Sequence, residues 1–97
     1  MKVVWSPLAL EKLETTSKFI ALDKPSAAEE WVNDIFNRTE LLGSQPEMGR
    51  KVPELLGSSY REIVFGSYRI IYKIEHEIKI LTLRNSRQLL SSDNVES

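Results

Sequence analysis

Two runs of β-forming residues that flank Gly66 and Ser67 constrain the fold of this chain more than any other feature. The runs are "YREIVF" (residues 60–65) and "YRIIYKI" (residues 68–74). Glycine at the first position of a two-residue loop is typical of a type II′ turn. The sequence therefore predicts an antiparallel β-hairpin whose register is fixed by its turn.

That register assigns each side chain to one of two faces, because neighbouring residues of a strand point to opposite sides. One face is apolar, and we expect helices to cover it; it comprises Arg61 (at its edge), Ile63, Phe65, Tyr68, Ile70 and Tyr72. The other face is mixed, and we expect it to be open; it comprises Tyr60, Glu62, Val64, Arg69, Ile71 and Lys73.

Arg69 on the second face has two interpretations at this point. It lies diagonal to Glu62, within reach of a long side chain. The pair could be a solvated ion pair worth less than about 1 kcal/mol. Alternatively, the rigid sheet could hold the guanidinium ready for a phosphate or a carboxylate, which arginine binds in a bidentate manner.

Helical patterns precede the hairpin. Ser6 followed by Pro7 predicts a helix start, and apolar spacing carries that helix to about residue 22. A second helix restarts at Pro25, where Ser26 and Glu29 fit a capping box, and it ends at Gly43.

Short β-type runs at residues 2–5 and 77–84 complete the set of elements. The order β-α-α-β-β-β predicts an α+β fold, a helical hairpin packed on a mostly antiparallel sheet. We expect one domain over residues 1–90 and a flexible polar tail over residues 91–97. Residues 44–59 are predicted to form a loop with one helical turn at "PELL".

Composition excludes several classes of site and location. The chain has no cysteine, which excludes disulfides, thiolate zinc sites and a cysteine nucleophile. His76 is the only histidine and lies in a predicted turn, so we expect no metal and no cofactor. No apolar run approaches the roughly 20 residues that a membrane span needs. We therefore expect no membrane association and a cytoplasmic location.

Charge is unevenly distributed along the chain. Residues 1–49 carry five Lys or Arg against eight Asp or Glu, whereas residues 50–87 carry eight against four. A basic half in a chain with a net charge of −1 is compatible with a polyanion or an acidic partner. Basic side chains on an ordinary sheet surface explain the same distribution, and both explanations stay open here.

Six short motifs stand out along the chain. In chain order they are "WSPLA", "DKPSAAEEWV", "PEMGRKVPEL", "YREI", "YRIIY" and "LRNSR". Each motif is weak alone, but they occur in one order across roughly residues 2–90. Together the motifs resemble the RelE/ParE toxin superfamily of bacterial type II toxin–antitoxin systems, and the wording of the third and fourth is closer to the ParE-like branch.

The resemblance implies a fold, partners and a target. The implied fold, a helical hairpin on an antiparallel sheet, agrees with the one predicted above. The implied partner is a cognate antitoxin whose acidic and apolar segment covers the toxin in a hetero-oligomer. RelE-like members cleave mRNA on the ribosome, and ParE-like members inhibit DNA gyrase. A degenerate, non-toxic module that binds only an antitoxin is a third possibility.

Carried over residue by residue, the resemblance places Arg69 on the sheet arginine of the RelE-like site and Arg87 near its second arginine. If the chain cuts RNA, the candidate catalytic residues are Arg61, Arg69 and Arg87. Glu62, however, puts a carboxylate where RelE-like enzymes carry basic residues, and no tyrosine follows Arg87.

These departures favour a ParE-like gyrase inhibitor that has no active site of its own. The candidate binding residues are Tyr60, Glu62, Arg69, Lys73, Arg84 and Arg87.

Overall fold

The computed structural model describes residues 1–95 as two helices packed on a five-stranded sheet. The helices are α1 (Pro7–Asp23) and α2 (Pro25–Glu40). The strands are β1 (Val3–Trp5), β2 (Arg50–Lys51), β3 (Arg61–Phe65), β4 (Tyr68–Ile74) and β5 (Ile78–Asn85). This architecture confirms the predicted α+β fold.

The sheet has the strand order β1-β5-β4-β3-β2 and is antiparallel except where β1 runs parallel to β5. The predicted hairpin register is confirmed, since Phe65 pairs with Tyr68 and Arg61 with Tyr72. Gly66 has φ +58°, and no other residue in the described part of the chain has positive φ. Because a type I′ turn would also need positive φ at Ser67, these angles fit the expected type II′ turn.

Ser6 starts α1 and also ties it to the sheet. Its hydroxyl oxygen accepts a hydrogen bond from the backbone N–H of Ala9 at 3.0 Å and donates one to the carbonyl of Leu81 at 2.9 Å. The helix start predicted at Ser6 is therefore correct. The capping box expected at Ser26 and Glu29 does not form, because α2 already begins at Pro25 and has no side-chain cap.

The helical hairpin covers the apolar face of the sheet, as predicted. Trp31 of α2 meets Tyr68 of β4 edge to face, with 5.4 Å between ring centroids. The buried residues of this core come from both helices, the turn after α2 and three strands: Ala9, Leu13, Ile35, Leu42, Ile63, Ile70, Tyr72, Ile78, Ile80 and Leu83.

The second face of the sheet is also covered, so the expectation of an open face is wrong. The segment before β3 and the segment after β5 fold over it and bury a second apolar cluster: Val52, Ile71, Leu81, Leu90 and Val95. Arg69 is only 5% exposed and Glu62 1%. Val64, nearer the turn, is the residue of this face that does remain exposed.

Residues 44–59 contain more regular structure than the sequence predicts. The helical turn expected at "PELL" is present at Pro53–Leu55, and a second one lies at Pro46–Met48. Between them, Arg50 and Lys51 form the edge strand β2, which pairs with β3. No alternation of apolar and polar residues identifies so short a strand in the sequence.

Tyr72 anchors this segment from inside the core. Its hydroxyl accepts a hydrogen bond from the N–H of Gly49 at 2.9 Å and donates one to the carbonyl of Pro46 at 2.7 Å. A Cβ on Gly49 would lie 2.5 Å from the carbonyl oxygen of Glu62 and 2.6 Å from that hydroxyl. Only glycine permits this approach, which places β2 against β3 and brings the following residues over the sheet.

The chain after β5 turns back over the sheet rather than leaving it at residue 90. Leu90 and Val95 are buried, and Ser92–Asn94 form a helical turn. Flexibility of the predicted tail, residues 91–97, stays a prediction, and the last two of those residues lie outside the described part.

Candidate functional site

A buried ion-pair network on the second face of the sheet contains the arginine that the sequence singled out. Arg69 of β4 binds Glu62 of the neighbouring strand β3, and Glu54 in the helical turn before β3. Its Nε donates to Glu62 Oε1 at 2.7 Å, and its Nη2 lies 2.6 Å from the same oxygen. The ion pair with Glu62 is therefore confirmed, but it is buried instead of solvated.

Glu54 binds the outer edge of the same guanidinium in bidentate geometry. Arg69 Nη1 lies 2.6 Å from Glu54 Oε2, and Nη2 lies 2.7 Å from Glu54 Oε1. Nη1 also donates to the backbone carbonyl of Gln88 at 3.2 Å. Four of these contacts are hydrogen bonds, and the fifth, from Nη2 to Glu62, is an ion-pair distance. Every nitrogen of the guanidinium therefore already has an acceptor within the protein.

Glu62 connects this pair to the edge of the sheet. Its side chain has no exposed surface, and its second oxygen, Oε2, accepts from Nε of Arg50 at 2.7 Å. Arg50 lies opposite Glu62 in the β2–β3 ladder, whereas Arg69 approaches from β4. A buried carboxylate needs such compensation, since an unpaired one costs several kcal/mol, on the order of the desolvation of an ion.

Glu54 also holds the segment after β5. Its Oε2 accepts a hydrogen bond from the N–H of Leu90 at 2.9 Å. The pKa of Glu54 falls from its ordinary 4.5 to about 2, mainly because Arg69 donates to the ionised carboxylate. The same contact raises the pKa of Arg69. The Glu54–Arg69 pair is therefore ionised at neutral pH, and Glu54 joins the segments that precede β3 and follow β5.

Arg61, the first arginine of the opening motif, lies on the other face of the hairpin. It is half-buried, and its Nη1 donates to the carbonyl of Gly49 at 2.8 Å. In the hairpin Arg61 pairs with Tyr72 and Arg69 pairs with Val64. This register places the two arginines on opposite faces of the sheet, so the structure does not bring them together.

Arg84 and Arg87, at the end of β5 and just beyond it, lie outside the ion-pair network. Arg84 pairs with Arg69 across the β4–β5 ladder and is half-buried. Its Nε has no accessible surface and no hydrogen-bond partner among residues 1–95. Arg87 is exposed, just after the end of β5. Neither joins the network around Arg69.

The two other candidate residues lie at the margins of the second face. Tyr60 is half-buried and packs against the apolar cluster there, next to Val52. Lys73 forms an ion pair with Glu75 at 3.3 Å. Of the six candidate binding residues, the network therefore unites only Glu62 and Arg69.

Glu54 and Arg50 belong to the network but were not among the sequence candidates. Both lie in residues 44–59, where no hydrophobic period indicates the fold. Two signals covered them: the helical turn predicted at "PELL", which contains Glu54, and the motif "PEMGRKVPEL", which contains both residues but does not show what they contact. The position of Glu54 over Arg69 depends on tertiary packing that begins at Gly49.

Residues 1–95 contain no group of three or more His, Cys, Asp or Glu that could hold a metal ion. Within the same range, neither helix is long and apolar enough to cross a membrane. His76, the only histidine, is exposed between β4 and β5.

A family model, a protein relative and a solved structure are all similar to this chain. A family model described as "ParE toxin of type II toxin-antitoxin system, parDE" matches residues 3–90. A protein of Sinorhizobium fredii (strain NBRC 101917 / NGR234) named "Putative toxin Y4kP" is 32% identical over 89 residues, which are 90% of each chain.

The chain is also similar in structure to a solved protein. The structure of the "Chromosomal ParDE TA system from P. aeruginosa" superposes with a TM-score of 0.71 at 22% identity, covering 88% of this chain and 95% of that one. At this level of identity the likeness shows the fold.

Proposed function

The chain belongs to the family of ParE toxins of type II toxin–antitoxin systems, and from that premise we propose that it acts by binding and inhibiting DNA gyrase, with no active site of its own. A cognate antitoxin neutralises it in a cytoplasmic hetero-oligomer. Both partners are those implied by the ParE-like resemblance.

The observation that carries this proposal is the saturation of Arg69. An RNA-cutting site of the RelE-like kind needs a cation to stabilise the charge that develops on the phosphate. All three guanidinium nitrogens of Arg69 have acceptors within the protein, and two of its partners are carboxylates. A phosphate would have to displace a carboxylate that is ionised at neutral pH.

The remaining candidates for ribonuclease chemistry do not replace Arg69. Arg61 is on the opposite face and bound to a backbone carbonyl, and Arg87 is exposed beyond β5. His76, the ordinary choice for a general acid or base, lies in an exposed turn at the end of β4. These positions favour a protein that acts through a surface.

A gyrase supercoiling assay tests the proposal. Purified toxin, titrated into gyrase with relaxed plasmid and ATP, is expected to block supercoiling, and addition of the purified cognate antitoxin is expected to restore it. Full supercoiling at a large excess of toxin would overturn the proposal.

The same preparation distinguishes the alternatives. In a translating extract we expect mRNA to stay intact, whereas cuts at defined codon positions would establish the RelE-like endonuclease. A chain that affects neither gyrase nor mRNA, and whose induction leaves growth unchanged, would be the degenerate antitoxin-binding module.

A further inference from the structure

A cationic cleft lies between α1 and the end of β5, and neither carboxylate of the Arg69 network lines it. Its volume is about 390 Å³, and it is lined by Lys12, Thr15, Thr16, Tyr68, Leu83, Arg84, Asn85 and Gln88. The lining includes two cations and no Asp or Glu. We propose that this cleft binds an oxyanion, the phosphate or carboxylate group of a ligand.

Arg84 is the first reason for this assignment. It is half-buried, and within residues 1–95 no carboxylate forms an ion pair with it. Its ladder neighbour Arg69 has already bound both nearby carboxylates, those of Glu54 and Glu62. A partly buried guanidinium without a counter-charge is unfavourable, and an anion in the cleft would supply the missing charge.

The second reason is the set of donors that surround Arg84. Lys12 of α1 adds an ammonium group, and Thr15 and Thr16 add hydroxyls from the next turn of the helix. Because residues three and four apart lie on one face of a helix, Lys12, Thr15 and Thr16 present their side chains together. Hydrogen bonds from such groups to an oxyanion are charge-assisted and therefore stronger than hydrogen bonds between neutral groups.

The third reason is that the end of β5 is already ordered around the cleft. The side-chain oxygen of Asn85 accepts the N–H of Arg87 at 3.0 Å, which leaves the amide NH₂ of Asn85 as its free end. The carbonyl of Gln88 accepts from Arg69. These bonds fix the side chain of Asn85 and the backbone of Gln88 before any ligand arrives, and a preorganised donor such as the Asn85 amide loses less entropy on binding.

Titration followed by NMR tests the site, with inorganic phosphate in one arm and acetate in the other. Ionic strength is held constant with chloride, and the full chain is used. We expect saturable shifts at the amides of Thr15 and Thr16 and at the side-chain amides of Asn85 and Gln88, with Kd in the millimolar range, about 1 to 10 mM. The arm that saturates at the lower concentration identifies which oxyanion the site prefers.

Two variants and a control make the test specific. Arg84→Gln and Lys12→Gln should each weaken binding at least about tenfold, as expected for loss of one charged hydrogen-bond donor. Lys51→Gln removes an exposed charge on β2, outside the cleft, and should change Kd less than about twofold.

Lys12 is exposed on α1, so Lys12→Gln should remain folded even if Arg84→Gln does not. Absence of saturable shifts in both arms would overturn the proposal, as would equal binding by wild type and Lys12→Gln. The test does not involve gyrase or antitoxin, so its outcome is independent of the proposed function.

Discussion

Arg69 lies between two carboxylates from different parts of the chain, and that environment determines what the residue can do. Glu62 reaches it across the hairpin, and Glu54 reaches it from the helical turn before β3. Arginine at this position of the family motif suggests phosphate chemistry only if its donors are free. Here they are bound, so we infer that Arg69 stabilises the fold of the second face.

Replacement of Arg69 should therefore act on stability. Arg69→Met leaves Glu62, whose side chain has no exposed surface, with Arg50 alone, and should lower the free energy of unfolding by about 3 kcal/mol. Urea denaturation measures the change. The exposed Arg87 provides the control, because Arg87→Met should shift stability by less than about 0.5 kcal/mol.

A double-mutant cycle separates the ion pair from general packing effects. If Arg69 and Glu62 compensate each other, the variant carrying both Arg69→Met and Glu62→Gln should be more stable than the sum of the single losses predicts, by at least about 1 kcal/mol. Strict additivity of the two stability losses would show that loss of the buried ion pair is not what destabilises the single variants.

Acid should reveal the contribution of Glu54. Its folded-state pKa of about 2 lies below its ordinary 4.5, so its stabilising effect is fully present above about pH 4.5. It is lost as the pH falls from there toward 2. Over this window the free energy of unfolding of Glu54→Gln should fall by about 1 to 2 kcal/mol less than that of wild type. Unfolding measured at pH 6 and pH 3 for both proteins checks this, and parallel losses would contradict it.

At the scale of elements, the turn between β3 and β4 fixes which residues share a face. The hairpin register was predictable because Gly66 in a two-residue loop leaves few alternatives. Strand β2 was not predictable, because two residues carry no periodic signal. Its placement depends on Gly49, where the backbone, the Tyr72 hydroxyl and Glu62 approach each other, a contact between parts of the chain that local patterns do not encode.

Two exposed glycines allow a matched test of the turn. Gly66 has φ +58°, and Gly57 has no such angle; a Cβ would meet no atom within 4 Å at either. Gly66→Ala should therefore destabilise the protein by about 1 to 2 kcal/mol through backbone strain alone. Gly57→Ala should stay within about 0.5 kcal/mol. Equal thermal unfolding of the two variants would contradict the turn assignment.

For the whole molecule, the sequence was sufficient for the fold class and the family but not for the surface that remains accessible. The helix-covered core follows from periodic apolar residues such as Ile35 and Ile70. The second core comes from isolated apolar residues in polar segments, among them Val52, Leu90 and Val95. Local patterns cannot show that such segments return to the sheet, so the prediction left Arg69 on an open face.

We propose that this toxin acts on gyrase through its surface while Arg69 supports the fold. The most direct measurement is the inhibition of gyrase supercoiling by wild type and by the folded Glu62→Gln/Arg69→Met double variant at matched concentrations. Since neither side chain is accessible, we expect both proteins to inhibit, with half-inhibitory concentrations within about twofold of each other. Normal supercoiling in the presence of excess wild-type toxin, or loss of inhibition in the folded double variant alone, would contradict this account.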